Sequence, residues 1–387
     1  MTTPASVATA TLRARVRGCL LGGAIGDALG NPIEFRSLAA IRATYGPAGI
    51  TGPVAKGDGV VGRITDDTQM TLFTAEGLVR AEARGRAKGI GGAETSCVRH
   101  AYLRWLDTQD HAAPPAPTGP YDVVRSGWLR LQPWLYARRA PGNACLSGLR
   151  HDHVPDPSEP LDGTPGPVNP DSKGCGTVMR SAPFGLTGAP AGRAFELAAH
   201  CARITHGHPT GAYAAGAFAA IVRHLLDGES LEGSVLRVLE LLARHRGHDE
   251  TTAALRKALD LAAGGAPSAE KVETLGGGWV AEEALAIAVY AALARPDSVT
   301  GALLLSVNHS GDSDSTGSVC GNLLGALHGD AALPPSWLAL TEGRAVVAEI
   351  ADDFSYAFHG IHSVHGTLRA AVPFDDSVFP RERYPHN

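Results

Sequence analysis

The sequence predicts a mainly α-helical protein. Apolar residues recur at helical spacing through most of the chain, convincing strand-like alternation is scarce, and alanine and glycine cluster where helices would approach closely. Leu12–Leu29 is apolar and rich in small residues. Thr68–Arg84 places Met70, Phe73, Gly77, Leu78 and Ala81 on one helical face. Thr210–Leu226 carries Ala212, Ala215, Gly216, Ala219 and Ala220, side chains small enough to admit a neighbour. Further helical runs are expected over Leu231–Arg244, Thr251–Ala263, Val280–Ala294, Ser298–Val307, Gly317–His328 and Ala345–Phe358. Between Asp110 and Asp171 the character changes, with twelve of the 26 prolines. A helical island over Val123–Tyr136 holds Trp128 and Trp134, and a second begins near Asn143. A long irregular stretch of this kind is expected to be a functional lid or a disordered insert.

Bulk properties narrow the class. A chain of 387 residues, 44% hydrophobic, has room for a large core. No boundary divides it, so one domain is expected over residues 10–370, with an insert at about 110–172 and tails at 1–9 and 371–387. The net charge of −5 and the lack of a basic run argue against a dedicated nucleic-acid surface. Six scattered cysteines without a C-x-x-C pair read as reduced thiols of a cytoplasmic protein. Arg13, Arg15 and Arg17 precede a glycine-broken segment rather than a signal-peptide core. No apolar run reaches the roughly 18 residues of a membrane span. The chain is read as a monomer.

Two acidic motifs carry the chemistry. In "RITDDTQM", Asp66 and Gln69 have the spacing of a capping box, so Asp66 could cap the Thr68 helix. Thr65, Asp66 and Asp67 could equally converge as three oxygen ligands for a hard cation. In "GDSDST", Ser313 or Asp314 could cap the Gly317 helix. Asp312 and Asp314 would alternatively share one side of an extended backbone, where a cation would offset their repulsion.

Three other stretches stand out. "GCLLGGAIGDALGNPIEF" has five glycines, which weaken a helix unless a neighbour or ligand comes close. Glu34 follows its Gly-Asn-Pro turn and reads either as a solvated glutamate or as a group on a movable loop. In "DSKGCGTVMRSAPFG", Gly174 and Gly176 bracket Cys175 before Thr177, a pattern that is either an ordinary turn or a phosphate cradle. Cys175 has no base of its own in the motif and is not expected to be a nucleophile. In "ITHGHPTGAYAAG", His206 and His208 lack a partner cysteine and read as polar contacts rather than zinc ligands.

In this order the five pieces "GDALGNPIEF", "TDDTQM", "GCGTVMR", "ITHGHP" and "GDSDSTG" resemble the ADP-ribosylglycohydrolase family, from roughly Gly18 to Gly329. The resemblance implies a compact, single-domain, all-α orthogonal helical bundle with two divalent cations, Mg²⁺ or Mn²⁺. It further implies that Thr65, Asp66, Asp67, Asp312, Asp314 and Ser315 ligate metal. Ser315 stands where the family usually has threonine, with Thr316 beside it. Glu34 matches the family's mobile glutamate, and Glu34 with Asp67 would be catalytic. Gly174, Cys175, Gly176, Thr177 and His206 would bind ADP-ribose, although many members carry asparagine in place of Cys175.

The implied reaction is hydrolysis of the C1'' glycosidic bond between ADP-ribose and a protein side chain, arginine or serine, or another acceptor. A modified nucleobase is one such acceptor. An alternative substrate is a small free derivative such as O-acyl-ADP-ribose. A catalytically silent ADP-ribose binder is a reading of another class, and the retained acidic set argues against it.

Overall fold

A computed structural model describes residues 4–360, 362–364, 367–369 and 383–385. Its described residues form sixteen α-helices, four short 3₁₀ turns and one antiparallel hairpin that pairs His362–Val364 with Thr367–Arg369. The all-α expectation holds. Apart from the island over Val123–Tyr136, every helical run read from the sequence after Leu29 overlaps an α-helix, while the first helix extends from Pro4 to Gly30. Leu38–Tyr45, Glu94–Asp110 and Ala191–Ala202 are additional, as are the short helices Ala182–Leu186, Ala269–Glu273 and Pro335–Leu340.

The centre is an antiparallel pair, Pro4–Gly30 against Ser313–His328. Its glycines recur every fourth residue and face one another. A Cβ on Gly18 would lie 2.5 Å from the Gly325 oxygen, on Gly22 2.3 Å from the Gly321 oxygen, and on Gly26 1.9 Å from the Gly317 oxygen. Gly30 meets Ser313 in the same way, at 2.1 Å. The helix-weakening glycines are thus explained by direct backbone contact between two helices. The contact also fixes the axial register, which sets the start of the Ser313 helix beside the end of the N-terminal one.

The Asp66–Lys88 helix lies against Glu94–Asp110 and Arg344–His359 and touches the central pair. On the other flank Ala191–Ala202 meets Pro209–Leu226, where Gly216 admits the Phe195 ring.

The proline-rich insert departs from expectation. The island over Val123–Tyr136 is two 3₁₀ turns, Leu129–Leu131 and Pro133–Leu135. Pro133 lacks an N–H and pushes Gln132 to extended backbone, which interrupts a continuous helix. The second island is realised as the helix Asn143–Gly148. Guanidinium groups anchor the loop: Arg104 donates to the Val123 oxygen, Arg80 to that of Ser126, Arg130 to that of Pro115 and Arg99 to that of His151. Glu76, 1% exposed, pairs with both Arg80 and Arg104 at 2.5 Å. Residues 383–385, within the expected tail, dock beside this loop. Tyr384 is 1% exposed and donates to Asp353, and Arg383 lies over the Trp128 ring. Residues 1–3 and 370–382 lie outside the described residues.

Candidate active site

The central pair and the Asp66 helix meet at a cleft of about 290 Å³, close to the lower limit for small-molecule sites. Glu34, Asp66, Asp67, Asp312, Asp314, Ser315, Gly174, Cys175, Gly176 and His206 all line it. Segments up to roughly 280 residues apart in sequence therefore meet at one cleft. Thr65 and Thr177 do not line the cleft. Thr65 sits behind Asp67, with its hydroxyl 3.3 Å from Asp67 Oδ2. The Thr177 hydroxyl donates to the Gly174 oxygen.

Each acidic segment is aimed by its helix start. Thr65, rather than Asp66, is the N-cap of the Asp66–Lys88 helix, and its hydroxyl accepts from the Asp67 N–H. Asp312 caps the Ser313 helix by accepting from Ser315 N–H at 3.2 Å. Capping and facing the cleft are compatible roles here, because one carboxylate oxygen does each. Thr316 points away from the cleft: its hydroxyl is engaged by His309 Nε2 at 2.9 Å and donates to backbone oxygens. Ser315 is the hydroxyl that reaches the cleft.

Asp27 is the residue missed by sequence reasoning. It is fully buried and accepts from the Thr65 N–H, the Thr65 hydroxyl, the Thr68 N–H and the Thr68 hydroxyl. It thereby ties the start of the Asp66 helix to the N-terminal helix. The available signal was a carboxylate in the middle of an apolar glycine-rich run, while its partners stand about 40 residues away.

Among the described residues no lysine or arginine forms an ion pair with Asp66, Asp67 or Asp312. Burial first, and then the charge of Asp314, raises the carboxyls of Asp66, Asp67 and Asp312 well above the usual range. The same causes raise Asp27 to about 7 and Glu34 to about 10. Lys56, whose ammonium donates to Asn31 at 2.5 Å, is the cation that partly counters the shift at Glu34. Cys175 donates from its thiol to Asp312 at 2.8 Å. Burial and the Asp312 charge push that thiol upward, the wrong direction for a nucleophilic thiolate.

The donor set fits hard divalent cations. Its carboxylates and the Ser315 hydroxyl are oxygen donors, and among the described residues the buried Asp67 Oδ1 and Glu34 Oε2 have no hydrogen-bond partner. The carboxylates are not closed into a cage: among the described residues no three acidic, histidine or cysteine groups already stand together around one point.

The rest of the wall is shaped by loops. Phe35, 66% exposed, takes a left-handed backbone at φ 65° and stacks on Trp279 with ring centroids 5.1 Å apart at the rim. The insert contributes Ala140–Ala144. Gln69 donates to the Ala137 oxygen, Arg139 pairs with Glu342, and Asn169 bonds both the Ala144 and Thr205 oxygens. This wall is pinned rather than loose. In the glycine loop Cys175 and Thr177 spend their N–H groups on Trp279 and Gly174. Those of Gly174 and Gly176 have no partner among the described residues.

A helical domain with an acidic cleft between two helix starts, beside a glycine loop, defines a class, and the comparisons give it a name. The family model for ADP-ribosylglycohydrolase matches residues 8–363, and the chain belongs to that family. It is 28% identical over 334 residues to the ADP-ribosyl-[dinitrogen reductase] glycohydrolase of Rhodospirillum rubrum, covering 84% of this chain and 89% of that protein. It is also 28% identical to an uncharacterized protein of Archaeoglobus fulgidus, over 87% of this chain and 94% of the relative. A solved structure described as an ADP-ribosylglycohydrolase-related protein complex superposes with a TM-score of 0.57 at 25% identity, over 89% of this chain and 98% of that one. The chain is a hydrolase of the ADP-ribosylglycohydrolase type. Among the described residues no helix is long and apolar enough to cross a membrane.

Proposed function

We propose that this protein hydrolyses the C1'' glycosidic bond linking ADP-ribose to an arginine or serine side chain, or to another acceptor, and releases ADP-ribose. The observation that carries the reading is the buried acidic cleft itself. Asp66, Asp67, Asp312 and Asp314 line one cavity, and among the described residues no lysine or arginine lines it with them and Asp67 Oδ1 is left unpartnered. Burying like charges is costly, and a cationic occupant removes the cost.

Two divalent cations, Mg²⁺ or Mn²⁺, would be held by Asp66, Asp67, Asp312, Asp314 and Ser315, with Thr65 one layer behind; when bound they supply charge neutralisation and orient ribose hydroxyls and water. The remaining chemistry belongs to the chain. In the metal-free protein burial and the charges of Asp314 and Asp312 hold the Glu34 carboxyl well above the usual range, so it stands in the cleft as a proton donor. The bond from C1'' to the acceptor nitrogen or oxygen breaks, and the water oxygen bonds to C1''. One water proton ends on the departing acceptor through Glu34. An oxocarbenium-like transition state is expected by analogy with glycoside hydrolysis.

The test is a release assay on ADP-ribosylated arginine, serine and nucleic-acid substrates side by side, with and without Mg²⁺ or Mn²⁺. Release of ADP-ribose from one protein-linked substrate, dependent on metal, is expected. Turnover of O-acyl-ADP-ribose alone would move the substrate to the small-molecule class, and full activity after exhaustive chelation would remove the metals from the reading.

A further inference from the structure

Arg180 stands behind the glycine loop, with 1% of the residue exposed. Among the described residues its partners are all neutral. It donates to the Thr205 hydroxyl at 2.7 Å, the Cys201 oxygen at 3.4 Å and the Cys145 sulfur at 3.5 Å, and it lies 4.5 Å over the Tyr102 ring. A buried guanidinium without a carboxylate is costly, and the ring contact and hydrogen bonds offset the cost only in part. Neither capping nor ion pairing accounts for a cation there.

Donor and acceptor roles can be followed outward from it. A guanidinium only donates, so Thr205 Oγ1 accepts. The Thr205 hydroxyl has one proton and two neighbours that could take it: the Ala202 oxygen at 3.4 Å and His206 Nδ1 at 2.7 Å. The first is too long for a good O–H···O bond and the second is ideal. Nδ1 therefore accepts, and the neutral ring carries its proton on Nε2. That nitrogen faces the glycine loop: a Cβ on Gly174 would lie 3.2 Å from it and one on Gly176 3.3 Å. Among the described residues no protein acceptor meets Nε2. Burial, and then the Arg180 charge, push the imidazole down to about 3, so it stays neutral.

We infer that Arg180 is a positioning residue which, through the Thr205 hydroxyl, locks His206 in the Nε2–H tautomer and turns the glycine loop into a donor-only cradle for phosphoryl oxygens. The ring N–H joins the unpartnered N–H groups of Gly174 and Gly176 on one side of the cleft. The opposite tautomer would aim a lone pair at the same spot and repel an anionic oxygen. The identity of the ligand as a pyrophosphate rests on the ADP-ribose reading above; the tautomer does not.

Histidine-selective ¹⁵N NMR reads the tautomer directly, with the His206 signals assigned by their loss in His206→Gln. The variants are Thr205→Val, which breaks the relay while keeping Arg180, and Thr205→Ser, which restores the hydroxyl. Wild type and Thr205→Ser should show a pyridine-like Nδ1 and a pyrrole-like Nε2. Thr205→Val should populate the Nδ1–H form, with ADP-ribose binding about tenfold weaker by calorimetry, the worth of one hydrogen bond to a charged group. An Nδ1–H form in wild type, or an unchanged tautomer in Thr205→Val, overturns the relay. A switched tautomer with unchanged ADP-ribose affinity overturns the cradle. A tautomer that switches as expected in a protein that does not bind ADP-ribose at all supports the relay and refutes the functional reading instead.

Discussion

Gly26→Ala should destabilise the protein, while the same substitution at Gly85 should stabilise it. Both glycines are helical. At Gly85 an added Cβ meets nothing closer than 3.6 Å, so alanine's higher helix propensity acts alone and adds about 0.5–1 kcal/mol. At Gly26 the Cβ would stand 1.9 Å from the Gly317 oxygen and 2.3 Å from its carbon, about an ångström inside any tolerated approach. No side chain can turn aside, since both contacts are backbone. The central helices must part by roughly 1 Å, and a gap of that size forfeits up to about half of the dispersion energy across their contact. Overpacking of this severity costs about 3 kcal/mol or more, of which propensity returns about 1, leaving a net loss of about 2 kcal/mol or more. The same displacement moves Asp312 and Asp314 relative to Asp66 and Asp67, so turnover should drop about a hundredfold even where the variant is folded. Urea unfolding of the two variants against wild type, with slopes compared, gives the stabilities. A Gly26→Ala midpoint at or above wild type would refute the argument that backbone contact explains these glycines.

Three other outcomes follow from the cleft. Folding raises the carboxyls of Asp27 to about 7 and Glu34 to about 10 from ordinary values of 3.8 and 4.5. Their contribution is therefore present below about pH 4 and lost as pH rises through those values, and metal-free protein should unfold more easily at about pH 8 than at about pH 5. Added Mg²⁺ or Mn²⁺ should flatten that slope, and the double change Asp312→Ala with Asp314→Ala should raise metal-free stability; a loss instead would show that the Asp312 cap outweighs the repulsion. Glu34→Gln should lower turnover about a hundredfold to ten-thousandfold with little change in ADP-ribose affinity, whereas Asp67→Asn should weaken metal and ligand binding together; kinetics and calorimetry separate them. Cys175→Ser should keep most of the activity, and a fall beyond about a hundredfold, roughly 2.7 kcal/mol of barrier, would reopen covalent chemistry.

Local signals carried much of this structure. Helices that bury one face, such as Leu231–Leu242, announce themselves by spacing, and acidic pairs beside hydroxyls are visible in any reading. Glu94–Asp110 was hidden for a physical reason: its buried set includes Arg99, Arg104 and Gln109, polar groups whose partners are loop oxygens and the side chains of Glu76 and Gln69 on another helix. Asp27 and Arg180 were illegible likewise, since each is explained only by residues remote in sequence that the fold brings within hydrogen-bond reach. The glycine period of the first helix and that at Gly317, Gly321 and Gly325 both stand in the sequence, but nothing local shows that the two meet.

The guanidinium anchors of the proline-rich insert grip main-chain oxygens, and every amino acid has one. The loop's path therefore does not depend on which side chains it displays at most gripped positions. Ala140, Asn143 and Ala144 can be recut to admit a bulkier or more acidic acceptor while Gln69, Arg99 and Arg104 go on holding the same backbone atoms. A fixed frame with an exchangeable face lets acceptor choice drift independently of the acidic centre, and a library confined to those three positions is the place to redirect it.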